Sequence, residues 1–196
     1  MNRFETHRFV LQEVLEIISK PVLELGAGTY STIPINQMSK KRGISCLTIE
    51  SNGEWFQKYS RLRTDLHRFR YYNEEESKKF YKEDTTEWGL VFVDSSSWKD
   101  RVLAIRKYHK TADYLIIHDC DYFPNNGIFG VRYSTIRPWL NKTGVRTYDD
   151  VFRYWIEFFI KDWKRDDPPT LLGSNKIDLT NFIIDERLIV SNRSKL

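Results

Sequence analysis

Apolar residues recur at helical spacing over residues 4–19 (Phe4, Phe9, Val10, Leu11, Val14, Leu15, Ile17, Ile18), a pattern that predicts an amphipathic helix. Pro21 ends it, and Val22-Leu23-Glu24-Leu25 follows as a short buried strand running into Gly26-Ala27-Gly28. A second helix is expected through Gln37 to Lys41, with Ser or Thr caps just before Ile33 and Ile35. Gly43 separates it from a strand at Ser45–Glu50, and a polar helix follows from Glu54 to Arg63. His67–Tyr72 reads as a third strand and Glu74–Lys82 as a charged helix. Gly89-Leu90-Val91-Phe92-Val93-Asp94 is continuous and apolar, as a parallel strand covered on both faces should be. Lys99–His109 reads as a helix, and Ala112–Asp119 as the next buried strand.

Strands alternating with helices over residues 1–119 predict an α/β fold, a Rossmann-like, doubly wound, mostly parallel sheet. The last third is less regular. Arg153–Ile160 fits strand or helix, Asp166-Asp167-Pro168-Pro169 is a loop, and Asn181–Val190 reads as a closing strand pair, an antiparallel C-terminal edge hairpin. The 196 residues suit one domain: residues 1–120 for a cofactor, residues 121–196 for acceptor-side loops and closing strands.

Hydrophobic content of 40% and aromatic content of 15% exclude intrinsic disorder. No run approaches a membrane span, and no charged-then-apolar leader opens the chain, so no membrane partner is expected. Cys46 and Cys120 lack the number of a disulfide framework and the spacing of a zinc site. A net charge of +4 is spread over mixed surfaces such as Lys40-Lys41-Arg42 and Arg61–Arg70, so nucleic acid is not the expected partner. Ser194-Lys195-Leu196 matches a peroxisomal signal, but three residues match often by chance, and a cytoplasmic protein is expected with a peroxisomal one as the alternative.

The candidate chemistry gathers at strand ends. In an open α/β sheet, ligands sit outside the carboxyl ends of the strands, where strand order reverses. Those ends carry Glu24 with Gly26 and Gly28, then Glu50, Asp94, and His118 with Asp119. The glycines permit a tight turn and a close approach of backbone to ligand. From Gly28 to Glu50 is 50 − 28 = 22 residues, the spacing at which an acid reaches the hydroxyls of a ribose. A dinucleotide site would want a third glycine beside the pyrophosphate, where Tyr30-Ser31-Thr32 stands instead. A ligand with ribose and no phosphate suits this departure.

Val22-Leu23-Glu24-Leu25-Gly26-Ala27-Gly28-Thr29 resembles the first motif of class I S-adenosylmethionine-dependent methyltransferases, and Ile49-Glu50 resembles their ribose-binding acid. The resemblance covers roughly residues 10–120, with Tyr30 in place of the third glycine. It implies that Glu24, Gly26, Ala27, Gly28 and Thr29 hold the methionine end of S-adenosylmethionine, that Glu50 and Ser51 hold the ribose, and that the turn at Tyr72 and Asn73 lies near adenine. Asp94 would face the cofactor as well.

An acceptor hydroxyl has a pKa near that of water, roughly 15 to 16, so it needs a general base, a metal, or both. Strand-end Asp94-Ser95-Ser96-Ser97 followed by His118-Asp119-Cys120-Asp121 resembles small carbohydrate and polysaccharide O-methyltransferases, of the glucuronoxylan-methylating and algal-virus glycan-decorating types. That resemblance implies a sugar or glycan acceptor, Asp94, His118 and Asp119 as catalytic residues, and Asp94, Asp119 and Asp121 as ligands for Mg²⁺ or Mn²⁺. Asp94 binding only the cofactor, and Asp119 as a turn-forming residue, are the alternatives. The loop Tyr122–Gly127 and the segment Pro168–Ser174 are expected around the acceptor, with Trp139, Trp155 and Trp163 either stacking on sugar faces or packing in the core. A phenol or catechol acceptor, or a non-catalytic cofactor-binding subunit, remains as the alternative function.

Overall fold

The computed structural model of the protein describes residues 6–95, 97–120, 148–149, 151–160 and 169–194. Five helices and eight strands run in the order α1 (Thr6–Ile17), β1 (Val22–Leu25), α2 (Thr32–Arg42), β2 (Cys46–Glu50), α3 (Gly53–Tyr59), β3 (His67–Tyr71), α4 (Glu74–Glu83), β4 (Leu90–Val93), α5 (Trp98–Tyr108), β5 (Tyr114–His118), β6 (Tyr154–Ile160), β7 (Thr170–Ser174) and β8 (Leu188–Arg193) among the described residues. The strands join in one sheet of order β3-β2-β1-β4-β5-β7-β6-β8. The first five strands are parallel, and β7, β6 and β8 continue the sheet antiparallel. The chain winds outward from β1 to β3, then returns to place β4 on the other side of β1. That reversal opens a crevice at the carboxyl ends of β1 and β4.

Alternation within each strand builds the two layers. Val22, Leu90, Phe92 and Ile116 face a core shared with Val10, Leu11 and Val14 of α1 and Ile35 of α2. Leu23, Leu25, Val91, Val93, Leu115 and Ile117 face the opposite core, against Tyr81 of α4 and Ala104, Ile105 and Tyr108 of α5. Burying each such side chain contributes roughly 1.5–3 kcal/mol, which is why the β1, β4 and β5 runs read so plainly in the sequence.

In the last third, one open expectation resolves and two others change. Arg153–Ile160, open between helix and strand, is strand β6 from Tyr154 onward. Part of the segment expected as an acceptor-side loop, Thr170–Ser174, is the buried strand β7 between β5 and β6. Leu171 and Leu172 enter the two opposite cores, and Gly173 makes room for the Phe152 ring, so burial on both faces decides the conformation. Of the expected closing pair at Asn181–Val190, only Leu188 onward is strand; β8 pairs with β6, and the antiparallel edge is β7-β6-β8. Among the described residues no helix is long and apolar enough to cross a membrane.

Candidate functional site

The turn after β1 is built for close approach. Gly26 sits at φ +94°, and a Cβ there would overlap the Asp94 carbonyl oxygen. Its N–H donates to the Ile49 carbonyl at 2.9 Å, so the loop is threaded between the ends of β2 and β4. Ala27 N–H donates to Glu50 Oε2 at 2.7 Å, and Gly28 N–H to Thr32 Oγ1 at 2.9 Å. Thr29 and Tyr59 hydroxyls, 2.5 Å apart, tie the turn to α3.

Glu24 lies beneath this turn, fully buried, and does not line the cavity described below. Its carboxylate accepts from Thr32 Oγ1 at 2.9 Å and Thr48 Oγ1 at 2.6 Å. The chain of bonds continues outward: Asn36 Nδ2 donates to the Leu62 carbonyl at 2.7 Å and lies 3.0 Å from His67 Nδ1, while His67 Nε2 lies 2.7 Å from Thr48 Oγ1. An amide nitrogen can only donate, so His67 Nδ1 accepts and its Nε2–H points at Thr48. Burial pushes the Glu24 carboxyl up to about 7 against these bonds, and lowers His67 to about 4. Glu24 therefore supports the glycine turn from below, through Thr32 Oγ1, which also accepts from Gly28 N–H.

Glu50 ends β2 with its carboxylate aimed back at backbone. Oε1 accepts from Ser51 N–H at 2.7 Å and Asn52 N–H at 2.6 Å, while among the described residues Oε2 takes only Ala27 N–H and has a lone pair for a further donor. Asn52 Oδ1 caps α3 by accepting from Glu54 and Trp55 N–H. Ser51 stands outside the cavity wall, and so does Asn73. Asn73 instead forms a capping box on α4, its Oδ1 accepting from Glu76 N–H and its own N–H donating to Glu76. Tyr72 packs on Phe80.

The ends of β4 and β5 converge through a residue the sequence reading assigned no role. Arg101, buried in the first turn of α5, donates from Nε to the Ser95 carbonyl at 2.6 Å, from Nη1 to the His118 carbonyl at 2.9 Å, and from Nη2 to Asp94 Oδ1 at 2.8 Å. The same Nη2 lies 4.0 Å from Asp119 Oδ2. Asp119 adopts φ +53°, unusual for a residue with a side chain, which turns its carboxylate to 3.2 Å from His118 Nε2. Burial pushes Asp94 up to about 7, with Arg101 pulling it down and the Asp119 and Glu50 charges adding to the rise. Burial also raises Asp119. His118 is held well below its ordinary value by burial, then by His7 and Arg101, so its ring is neutral. His7 of α1 stacks edge-on against it, ring centres 4.4 Å apart, and burial lowers His7 to about 3.

These pieces enclose a cavity of about 350 Å³, within the roughly 300–1,000 Å³ of small-molecule sites. Of the residues expected at the site, Ala27, Gly28, Thr29, Glu50, Asp94, His118 and Asp119 line it, and Gly26 shapes its floor through backbone alone. His7, Tyr30, Asn52 and Trp55 line it unforeseen. His7 and Arg101 each left a trace: a polar residue on the buried stripe of a helix, His7 with Val10, Leu11 and Val14, Arg101 with Ala104, Ile105 and Tyr108. Asp121, Tyr122–Gly127, Trp139 and Trp163 lie outside the described residues. Trp155 is buried, edge-on to Tyr148 with its N–H on Asp149, and so is a core residue.

Asp94, His118 and Asp119 offer ligand atoms within 4.8 Å of one another. The cation on these acids is nonetheless the Arg101 guanidinium, which occupies Asp94 Oδ1. A divalent ion needs carboxylate oxygens at roughly 2.0–2.6 Å, and here it would share these acids with a guanidinium already on Asp94 Oδ1.

Sheet order, reversal and glycine turn match the fold of the class I methyltransferases. Two solved structures carry this comparison. One is a "putative caffeoyl-CoA O-methyltransferase" from Staphylococcus aureus, 16% identical, with 86% of this chain and 82% of that one covered and a TM-score of 0.53. The other is the N-terminal domain of EvdMO1 with SAH bound, 11% identical, with 86% and 79% covered and a TM-score of 0.53. No protein-family model and no curated protein matches the sequence.

Proposed function

We propose that the cavity binds S-adenosylmethionine and that the protein moves its methyl group to a hydroxyl of a sugar or glycan. The observation that carries this reading is the meeting of the glycine turn, Glu50, and the Asp94–His118–Asp119 group on one cavity at the strand reversal. Glu50, Asp94 and Asp119 on the wall outnumber the Arg101 guanidinium beside them, a balance that suits a ligand bearing a single positive charge, as the sulfonium does. The turn at Ala27–Thr29 suits the methionine end, the free lone pair of Glu50 Oε2 suits a ribose hydroxyl, and the half-exposed Trp55 indole beside Glu50 offers a flat face for adenine.

In methyl transfer the acceptor oxygen attacks the methyl carbon, the carbon–sulfur bond breaks, and the sulfonium leaves as a neutral thioether. The hydroxyl proton passes to the neutral His118 imidazole or to Asp119, both on the cavity wall. Positioning supplies most of the acceleration, and a placed base adds roughly 10²–10⁴. His7, Tyr30 and Trp55 also make an aromatic wall that suits a planar phenol or catechol, which is the second reading of the acceptor.

The test is incubation with methyl-labelled S-adenosylmethionine and two acceptor panels, oligosaccharides and catechols. Label in the sugar fraction is expected. Label confined to catechols would replace the acceptor, and label in neither panel, with the cofactor bound, would leave a non-catalytic subunit.

A further inference from the structure

We propose that Arg101 is the resident cation of this site, a positioning residue that holds the acids at the ends of β4 and β5 in the place a divalent metal would take. One guanidinium reaches three separate pieces of chain: the Asp94 carboxylate, the Ser95 carbonyl just beyond β4, and the His118 carbonyl that ends β5. The two carbonyls sit where strand pairing stops, so their oxygens need donors from elsewhere. A planar fork with five N–H donors serves all three at once, and no ammonium or hydrated ion has that geometry.

Arg101 has no room to step aside. Its side chain is 7% exposed, and the neighbouring Val102, Ala104 and Ile105 are buried in the core on that side of the sheet. The adjacent acid of α5, Asp100, accepts from Tyr81 Oη at 2.9 Å, and among the described residues Asp94 is in contact with Arg101 while Asp119 lies at 4.0 Å. Guanidinium stays protonated across the working range of any enzyme, so the positive charge is permanent. A divalent ion bound to Asp94 and Asp119 would stand within a few ångströms of it, and the two cations would compete for the same carboxylates. The arrangement also explains why Asp119 keeps its strained φ of +53°: the His118 carbonyl just before it is fixed by Nη1. This role for Arg101 holds whether or not the cavity transfers methyl groups.

The test is titration of Mn²⁺ followed by electron paramagnetic resonance, on the full chain and on Arg101→Met, a side chain of similar length without charge. The wild-type protein is expected to show no stoichiometric Mn²⁺ binding. Arg101→Met removes the guanidinium from Asp94 Oδ1 and is expected to gain at least about tenfold in Mn²⁺ affinity, a gain that a further Asp94→Asn substitution removes. A merely structural Arg101 would not produce that gain. One-to-one Mn²⁺ binding by the wild-type protein that is lost in Asp94→Asn would overturn the proposal. So would an Arg101→Met protein that keeps its circular dichroism and binds no Mn²⁺. If Arg101→Met does not fold, the wild-type and Asp94→Asn titrations decide on their own.

Discussion

Glu24→Gln isolates the cost of a buried acid beneath the glycine turn. The Glu24 carboxyl moves from an ordinary 4.5 to about 7 because burial disfavours its charge more than the Ser31, Thr48 and Thr32 side chains favour it. The folded state therefore binds the proton more tightly than the unfolded chain, and stability falls as pH rises from the unfolded to the folded value. Integrated between about pH 5 and about pH 8, this shift removes about 2.5 kcal/mol from the wild-type protein. His7 and His67 act oppositely: burial holds them neutral, so they lose stability as pH falls below their unfolded range. The raw pH profile mixes these signs, and only the difference between variant and wild type isolates Glu24. Glutamine keeps the size, accepts one threonine hydroxyl and mismatches the other, a loss of about 1 kcal/mol at every pH. Urea unfolding at the two pH values should show the variant improving relative to wild type by about 2.5 kcal/mol from acid to alkaline side. A difference constant within about 0.5 kcal/mol would refute the buried-charge reasoning.

Gly26→Ala combines a positive φ with overlap against the Asp94 carbonyl, and should cost about 2 kcal/mol or more in thermal unfolding while abolishing cofactor binding. Asp94→Ala should abolish methyl transfer in the labelled assay and, by leaving the buried Arg101 without its carboxylate, lower stability by about 3 kcal/mol. Trp55→Ala, at a side chain 41% exposed, should leave the melting temperature unchanged and weaken S-adenosylmethionine binding about tenfold in calorimetry. Gly173→Ala would drive a methyl group into the Phe152 ring, and a denaturation midpoint unmoved from wild type would show that β7 is packed more loosely than described.

Much of the fold was legible because β1, β4 and β5 are short apolar runs punctuated by glycine, proline or an acid. Strand β7 was hidden: Thr170-Leu171-Leu172-Gly173-Ser174 holds only two large apolar residues beside a proline pair, and its burial between β5 and β6 overrides that local signal. The wall residues at strand ends, Glu50, Asp94, His118 and Asp119, followed from the rule that ligands meet the carboxyl ends of the strands. Parity marks the face Glu24 takes: it alternates with Leu23 and Leu25 and so points away from their core, toward Thr32 and Thr48. Asn73 with Glu76 three residues on already spelled a helix cap. His7 and Arg101 were hidden because periodicity counts a polar residue as a gap in the stripe, whereas in space each is the stripe's contact with the cavity or its acids.

Whether the cavity at the β1–β4 reversal takes S-adenosylmethionine is decided by calorimetric titration of the purified chain. One cofactor is predicted to bind per chain, with binding lost in Gly26→Ala and unaffected by EDTA. No heat of binding under any condition, from a protein shown to be folded, would contradict the claim.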